Sequence, residues 1–274
     1  MVMRCGERWR VLGESGSNSP AAIGAETDLP PANAGDTAAI MTTMRPRLLK
    51  LSGEALGGEQ GVHDTAEVTR VCAELVTGCR AGAPVAVVVG GGNILRGGGM
   101  RGATDPTRGD YMGMLATLIN ALALKSGIEA AGGRCEVVGP HHVPNVCHQY
   151  NRSQVMAWLA ERVVVVFGGG TGHPFFTTDT TAALRAAEIG AEVLLKGSKV
   201  DGIYTADPKK DPKATRFDHL TFDQALEGRY GVMDAAAFVL CRDQRIAIRV
   251  FAMTTPGTIV AALGEHPPGT LVTP

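Results

Sequence analysis

The stretch Phe167–Thr181, FGGGTGHPFFTTDTT, decides the reading of this chain. A β-branched run, Val163 to Val166, precedes it, and an alanine-rich stretch with helical spacing, Ala182 to Gly190, follows it. Strand, glycine turn and helix start together make an anion site. Glycine permits positive φ and close approach to the backbone, and the unpaired N–H groups of a helix start attract negative charge. Thr177 and Thr178 add hydroxyls and Asp179 a carboxylate, so the turn has the groups to hold a phosphate and a hydrated cation. A phosphorylated ligand is the first expectation. Taken alone, the stretch reads equally well as a glycine turn followed by an ordinary N-cap.

Outward from it the chain alternates. The patterning predicts strands at Leu48–Leu51, Val85–Val89, Cys135–Val138, Val163–Phe167, Val193–Leu195, Ile248–Phe251 and Thr270–Thr273. It predicts helices over Thr65–Ala81, Gly109–Ala131, Ser153–Ala160, Thr178–Gly190, Asp234–Arg242 and Pro256–Leu263, the last with Pro at its first turn. The long helix is marked by Met112, Leu115, Ile119 and Leu122 at three-to-four spacing. Strands that are continuous apolar runs between helices imply a parallel sheet covered on both faces, hence a three-layer α/β/α sandwich around a mainly parallel sheet. Val200–Phe217, rich in Asp, Pro, Lys and Gly, is expected to be an exposed hairpin or loop. Residues 1 to 44 lack apolar periodicity and are expected to be a disordered extension, leaving residues 45–274 as a single domain. The acids of that extension conflict with a transit peptide, and Met41 or Met44 would each serve as a start.

Composition excludes several function classes. With 274 residues, 45% hydrophobic and 19% charged, the chain can bury a substantial core. A net charge of -1 gives no electrostatic case for nucleic acid or an anionic membrane. No apolar run approaches the roughly 20 residues of a membrane helix. Six scattered cysteines without a CxxC pair point to free thiols in a reducing compartment, and so to the cytoplasm. His141, His142, Cys147 and His148 match no zinc spacing.

Three glycine turns follow three strands: Ser52-Gly53, Gly90–Asn93 and Gly168–Gly172. In an open α/β sheet ligands bind beyond the carboxyl ends of the strands, so the three turns are expected to line one crevice. No GxxxxGK[ST] occurs, and no GxGxxG opens a helix. Lys50 stands before the first turn, where an ammonium can reach a transferring phosphoryl group, or simply snorkel from a strand end. Arg96 and Arg101 follow the second turn and suit bidentate phosphate contact or a plain surface role. Asp110, near the start of the long helix, suits ribose hydroxyls, with helix capping as the default. Tyr204 between Asp201 and Asp207 reads as a base-stacking group or an exposed hairpin tip, and Asp234 as a cap or a magnesium partner.

Together these motifs identify a resemblance. LLKLSGEAL, VVVGGGNILRG, GDYMGMLATLINALAL, GGGTGHPFFTTDTTAALRA, KVDGIYTADP, VMDAAAF and RVFAMTTPG occur in the order and spacing of the bacterial-type UMP kinases of the amino-acid kinase family, over Arg47–Thr273. GDYMGMLAT and TGHPFFTTD resemble that branch rather than the relatives acting on aspartate, acetylglutamate or carbamate. The resemblance implies transfer of the γ-phosphoryl of ATP to UMP, with Mg²⁺ accompanying ATP. It implies ATP contacts at Lys50, Leu51, Ser52, Gly53, Gly92, Arg96, Ser198, Tyr204 and Asp207. UMP contacts are implied at Gly91, Asp110, Thr171, Gly172, His173, Pro174, Phe175, Phe176, Thr177 and Thr178. Lys50, Arg96, Asp179 and Asp234 would form the active centre, and Gly58, Glu59, Gln60, Gly61, Val62 and His63 the GTP-responsive region. A homohexamer activated by GTP and inhibited by UTP is also implied. Three positions depart from the family pattern: His173 stands where Asn is usual, Ser198 where Thr is usual, and His63 where glycine is frequent. The chemistry agrees independently of the name, because a UMP phosphate is already anionic and needs positioning and charge neutralisation rather than a general base. Two rivals stand beside this reading: a non-catalytic nucleotide-binding or storage protein on the same fold, and a kinase with an amino-acid or carbamate acceptor.

Overall fold

The computed structural model describes residues 45–58, 61–95, 105–231 and 233–274. The expected disordered extension lies outside them. Among the described residues the strands are β1 (Arg47–Leu51), β2 (Val85–Val89), β3 (Cys135–Gly139), β4 (His148–Gln149), β5 (Val164–Phe167), β6 (Val193–Ser198), β7 (His219–Thr221), β8 (Ala247–Ala252) and β9 (Thr270–Thr273). The helices are α1 (Thr65–Arg80), α2 (Pro106–Ala130), α3 (Arg152–Ala160), α4 (Thr178–Ile189), α5 (Phe222–Glu227), α6 (Ala235–Asp243) and α7 (Thr258–Ala262). One sheet runs in the order β4-β3-β5-β2-β1-β6-β8-β9-β7, and every pairing is parallel except β8 with β9.

Alternation along the central strands divides the core in two. Leu48, Val88, Val165, Phe167 and Leu194 face α3, α4 and α6, whereas Leu49, Leu51, Val87, Val166 and Leu195 face α1, α2 and α7. The expected three layers are therefore present. α4 packs closely because Ala182, Ala183 and Ala186 are fully buried. Thr177 caps its start by accepting from the N–H groups of Asp179 and Thr180, and Gly190 ends it with φ +62°.

The structure corrects three expectations and shows which way the apolar stripe of α2 faces, on which the sequence was silent. β6 runs on to Ser198, because Lys196, Gly197 and Ser198 continue to pair with β8 even though their polarity ends the apolar run. α7 begins at Thr258 rather than Pro256: Gly257 takes φ +84°, which breaks the helical run, and its N–H and that of Ile259 are accepted by the buried Glu74 carboxylate. The stripe that marks α2 faces outward, with Leu115 61% and Ile119 50% exposed, while Ala116, Ala121, Leu124 and Ile128 enter the core. Its length and composition alone would let α2 cross a membrane, contrary to the sequence-based expectation, yet its buried face packs in this domain.

Candidate active site

Parallel pairing places the carboxyl ends of β1, β2, β5 and β6 on one edge, and the three glycine turns meet there. The contact between the first two is tight. A Cβ on Gly53 would lie 2.5 Å from Asn93 Oδ1 and 2.6 Å from the Gly90 carbonyl oxygen, so no larger residue fits. The third turn bends through Gly169 at φ +80°, whose N–H donates to Thr117 Oγ1 at 2.6 Å. The start of α4 approaches the second turn, with Thr178 Oγ1 3.5 Å from where a Gly90 Cβ would stand.

At the centre lies a charge cluster. Lys50 of β1 and Lys196 of β6 are register partners, and alternation turns both toward the face covered by α4. Asp179 in the first turn of α4 receives both: Lys50 Nζ at 2.9 Å from Oδ1, and Lys196 Nζ at 2.6 Å from Oδ1 and 2.5 Å from Oδ2. All three side chains are nearly buried. Burial works against the Asp179 charge but is outweighed by Lys50 and then Lys196, which hold its carboxyl below the usual range. Lys196 is pushed down to about 8, by burial first and the Lys50 ammonium second, against the pull of Asp179. Two cations on one carboxylate leave a net positive charge beside a helix N-terminus, an arrangement suited to polyanions. Lys50 and Lys196 open into a cleft of about 420 Å³ lined also by Ser52, Gly57, Ser198 and Met253.

Asp234 serves as the N-cap of α6, accepting from Ala237 N–H at 2.7 Å. It also accepts from the hydroxyls of Thr177 and Thr180, which fastens the start of α4. Asp110 does not cap its helix; Asp105 does, by accepting from Arg108 N–H. Asp110 Oδ2 instead accepts the N–H of Phe175 at 2.7 Å. Phe175 sits at φ +70°, uncommon for a bulky residue, so this carboxylate holds a strained turn in the loop between β5 and α4. In that loop Thr171 Oγ1 accepts from His173 N–H, Gly172 packs on Pro140, and His173, Phe175 and Phe176 are exposed.

Of the other anticipated residues Ser198 lines the cleft, whereas Tyr204, Asp207, Gly91, Gly58, Gly61 and His63 stand apart from its lining. Tyr204 donates to Asp201, which also holds Arg216 at 2.7 Å, so the trio clasps the hairpin; Asp207 caps its own turn by accepting from Lys209 N–H. Ser198 Oγ accepts from Val200 N–H. Gly91 packs on α2, where an added Cβ would meet Ala116 at 2.9 Å. Gly58 and Gly61 bridge to each other, and His63 Nε2 lies 2.7 Å from Asn120 Oδ1. Arg96, Arg101, Glu59 and Gln60 lie outside the described residues. His148 packs at a tilt against Trp158 with its Nε2 3.4 Å from Glu136 Oε2, and among the described residues no three His, Cys, Asp or Glu are grouped to hold a metal. The five described cysteines are free and buried.

Sequence reasoning missed Lys196, Thr180 and Asn120. A signal for Lys196 existed: Leu194-Leu195-Lys196 repeats Leu48-Leu49-Lys50, an apolar strand closed by lysine, and the two copies pair in register.

The chain matches the Amino acid kinase family over residues 46–252. It is 49% identical over 229 residues to a uridylate kinase of Rhodopseudomonas palustris (strain BisA53), covering 82% of this chain and 95% of the relative. It is 51% identical over 228 residues to a uridylate kinase of Bradyrhizobium diazoefficiens, with the same coverage. The crystal structure of UMP kinase from Ureaplasma parvum superposes with a TM-score of 0.80 at 33% identity, covering 84% of this chain and 99% of that one. UMP kinase from Bacillus anthracis gives 0.79 at 32%, covering 84% and 97%.

Proposed function

This chain belongs to the amino-acid kinase family, in its bacterial-type UMP kinase branch, and from that membership we propose how its cleft carries out the reaction. The protein is an ATP-dependent UMP kinase that forms UDP and ADP. The observation that carries our assignment of roles is the Lys50–Asp179–Lys196 cluster at the meeting of three glycine turns.

The attacking UMP oxygen is already an anion, so the protein's task is to bring two polyanions together and stabilise charge on the phosphoryl group in flight. Lys50, with Leu51, Ser52, Gly53 and Gly92, holds the ATP phosphates. Lys196 supplies a second ammonium, and Asp179 orients both cations. Asp234 acts on the site through Thr177 and Thr180, and is a positioning residue in this scheme. Asp110 sets the loop from Thr171 to Thr178 through Phe175 and offers its other oxygen to the UMP ribose. Ser198, Tyr204 and Asp207 attend the ATP nucleoside, and Arg96 the phosphates.

Mg²⁺ enters with ATP as part of the substrate and neutralises phosphate charge when bound. That mode fits the residues here, since Asp179 is already engaged by two ammonium groups. Assembly into a homohexamer is proposed by the family resemblance. The exposed stripe of Tyr111, Met112, Leu115, Ile119 and Leu122 supports self-association, because contiguous apolar surface of this kind is rarely left in water. Activation by GTP through residues 58–63, inhibition by UTP, and a cytoplasmic location are proposed by the same resemblance. A storage protein has no specific observation in its favour.

The test is ADP release by the purified protein with Mg·ATP, offered UMP, CMP, aspartate and carbamate in turn. UMP should support turnover and the others little. Turnover with aspartate or carbamate and none with UMP would sink the assignment.

A further inference from the structure

Asn120 is fully buried on the core side of an apolar stretch of α2, between Leu118, Ala121 and Leu124. A buried amide costs stability unless each of its groups is matched, and here each one is. Asn120 Nδ2 donates to the Gly90 carbonyl at 2.6 Å and to Asn93 Oδ1 at 2.7 Å. Asn120 Oδ1 accepts from Asn93 Nδ2 at 3.2 Å and faces His63 Nε2 at 2.7 Å. With both amide hydrogens of Asn120 in use, the proton at the His63 contact belongs to His63. Asn93 Nδ2 completes the junction by donating to the Val62 carbonyl at 2.7 Å. Packing alone would be served by leucine at this place; the amide selects one arrangement of three segments, namely the second glycine turn, the loop before α1, and α2 itself.

The consequence for chemistry comes from peptide planarity. In a trans peptide the carbonyl of one residue and the N–H of the next point in opposite directions. Holding the Gly90 oxygen against Asn120 therefore fixes the Gly91 N–H in the direction away from the Asn120 amide. Gly53 leaves no slack, since its backbone lies against both Gly90 and Asn93. We propose that Asn120 is a positioning residue for phosphoryl transfer, holding the Gly90–Gly91 peptide in the orientation its N–H needs to meet the phosphoryl group. The proposal rests on the kinase reading above.

The test compares wild type with Asn120→Asp and with Asn93→Ala. The first is isosteric and puts a carboxylate oxygen where the donor to Gly90 stood. The second breaks the same junction at a half-buried position and serves if the first does not fold. kcat and both KM values are measured on folded protein, with hydrogen exchange over residues 85–95. The account expects kcat to fall on the order of 100-fold with both KM values within about threefold of wild type, as for a misplaced catalytic group rather than lost binding. Exchange at residues 90–93 should quicken. Lower thermal stability with unchanged kcat would overturn the role, as would unchanged exchange. A wild type that turns over no UMP is a different result, which would sink the kinase reading and this inference together.

Discussion

Replacing Lys196 by methionine separates a site cation from a structural one, because the two roles predict opposite signs. The Lys196 ammonium sits within 2.6 Å of both Asp179 oxygens with only 11% of its side chain exposed. Burial and the neighbouring Lys50 push it from 10.5 down to about 8. That drop, at about 1.4 kcal/mol per pH unit, means a charged Lys196 costs the nucleotide-free fold on the order of 3 kcal/mol. The sign follows from proton counting. A lysine whose folded value lies below its unfolded one imposes its full cost at pH below about 8, and the cost fades as pH rises toward 10.5. Lys196→Met keeps the length of the side chain and removes the charge, while Asp179 retains Lys50 at 2.9 Å. Urea unfolding at pH 7 should therefore show a variant at least as stable as wild type, with a gain of up to ~3 kcal/mol that narrows by pH 10. Its kcat should fall about 100- to 1000-fold, as on removing one donor that stabilises transition-state charge. A variant destabilised by several kcal/mol whose folded molecules keep near-normal kcat would refute this reasoning and make Lys196 a structural ion-pair partner.

The same lysine predicts that kcat/KM for ATP declines as pH rises through about 8, since the free site loses a positive charge there; a profile flat to pH 9.5 would count against it. Asp110→Asn should raise the KM for UMP more than that for ATP, because an amide oxygen can still hold Phe175 N–H while the charge toward the ribose is gone; equal effects on both substrates would argue against ribose binding. Glu74→Ala should cost about 2 kcal/mol in urea unfolding, since it leaves the buried Ile259 N–H without an acceptor, frees the Gly257 N–H and removes one of the two carboxylates that hold Arg70. Its effect on KM should fall on ATP, because the segment it secures carries Met253 and Thr254 of the cleft.

The central sheet was legible because its strands carry short apolar runs, valine-rich in β2 and β5 and leucine-rich in β1 and β6, and so was the convergence of the turns, which follows from parallel pairing alone. What periodicity could not reveal was facing. α2 is apolar on most sides, so Met112, Leu115, Ile119 and Leu122 marked a helix without showing that they point outward while smaller residues enter the core. β7 and α5 went unread because HLTFDQALE is short and follows a polar loop; what holds them is pairing with β9 and a Thr221–Gln224 capping box. In the site, Lys50 and the TTD triplet stood out locally. Their junction did not, because Lys196 and Asp179 come together through strand register and helix placement rather than sequence spacing. Asn120 carried no local sign at all, since an amide within an apolar helix shows its purpose only when its three partner residues, Gly90, Asn93 and His63, are in view.

Incubation of the protein with Mg²⁺, UMP and ATP labelled with ³²P at the γ position, followed by separation of nucleotides and protein, tests the central claim most directly. Direct transfer predicts that the label appears in the β-phosphate of UDP, one for each ADP formed, with none on the protein. Label retained covalently on the protein, or released as inorganic phosphate while UMP stays unchanged, would contradict it.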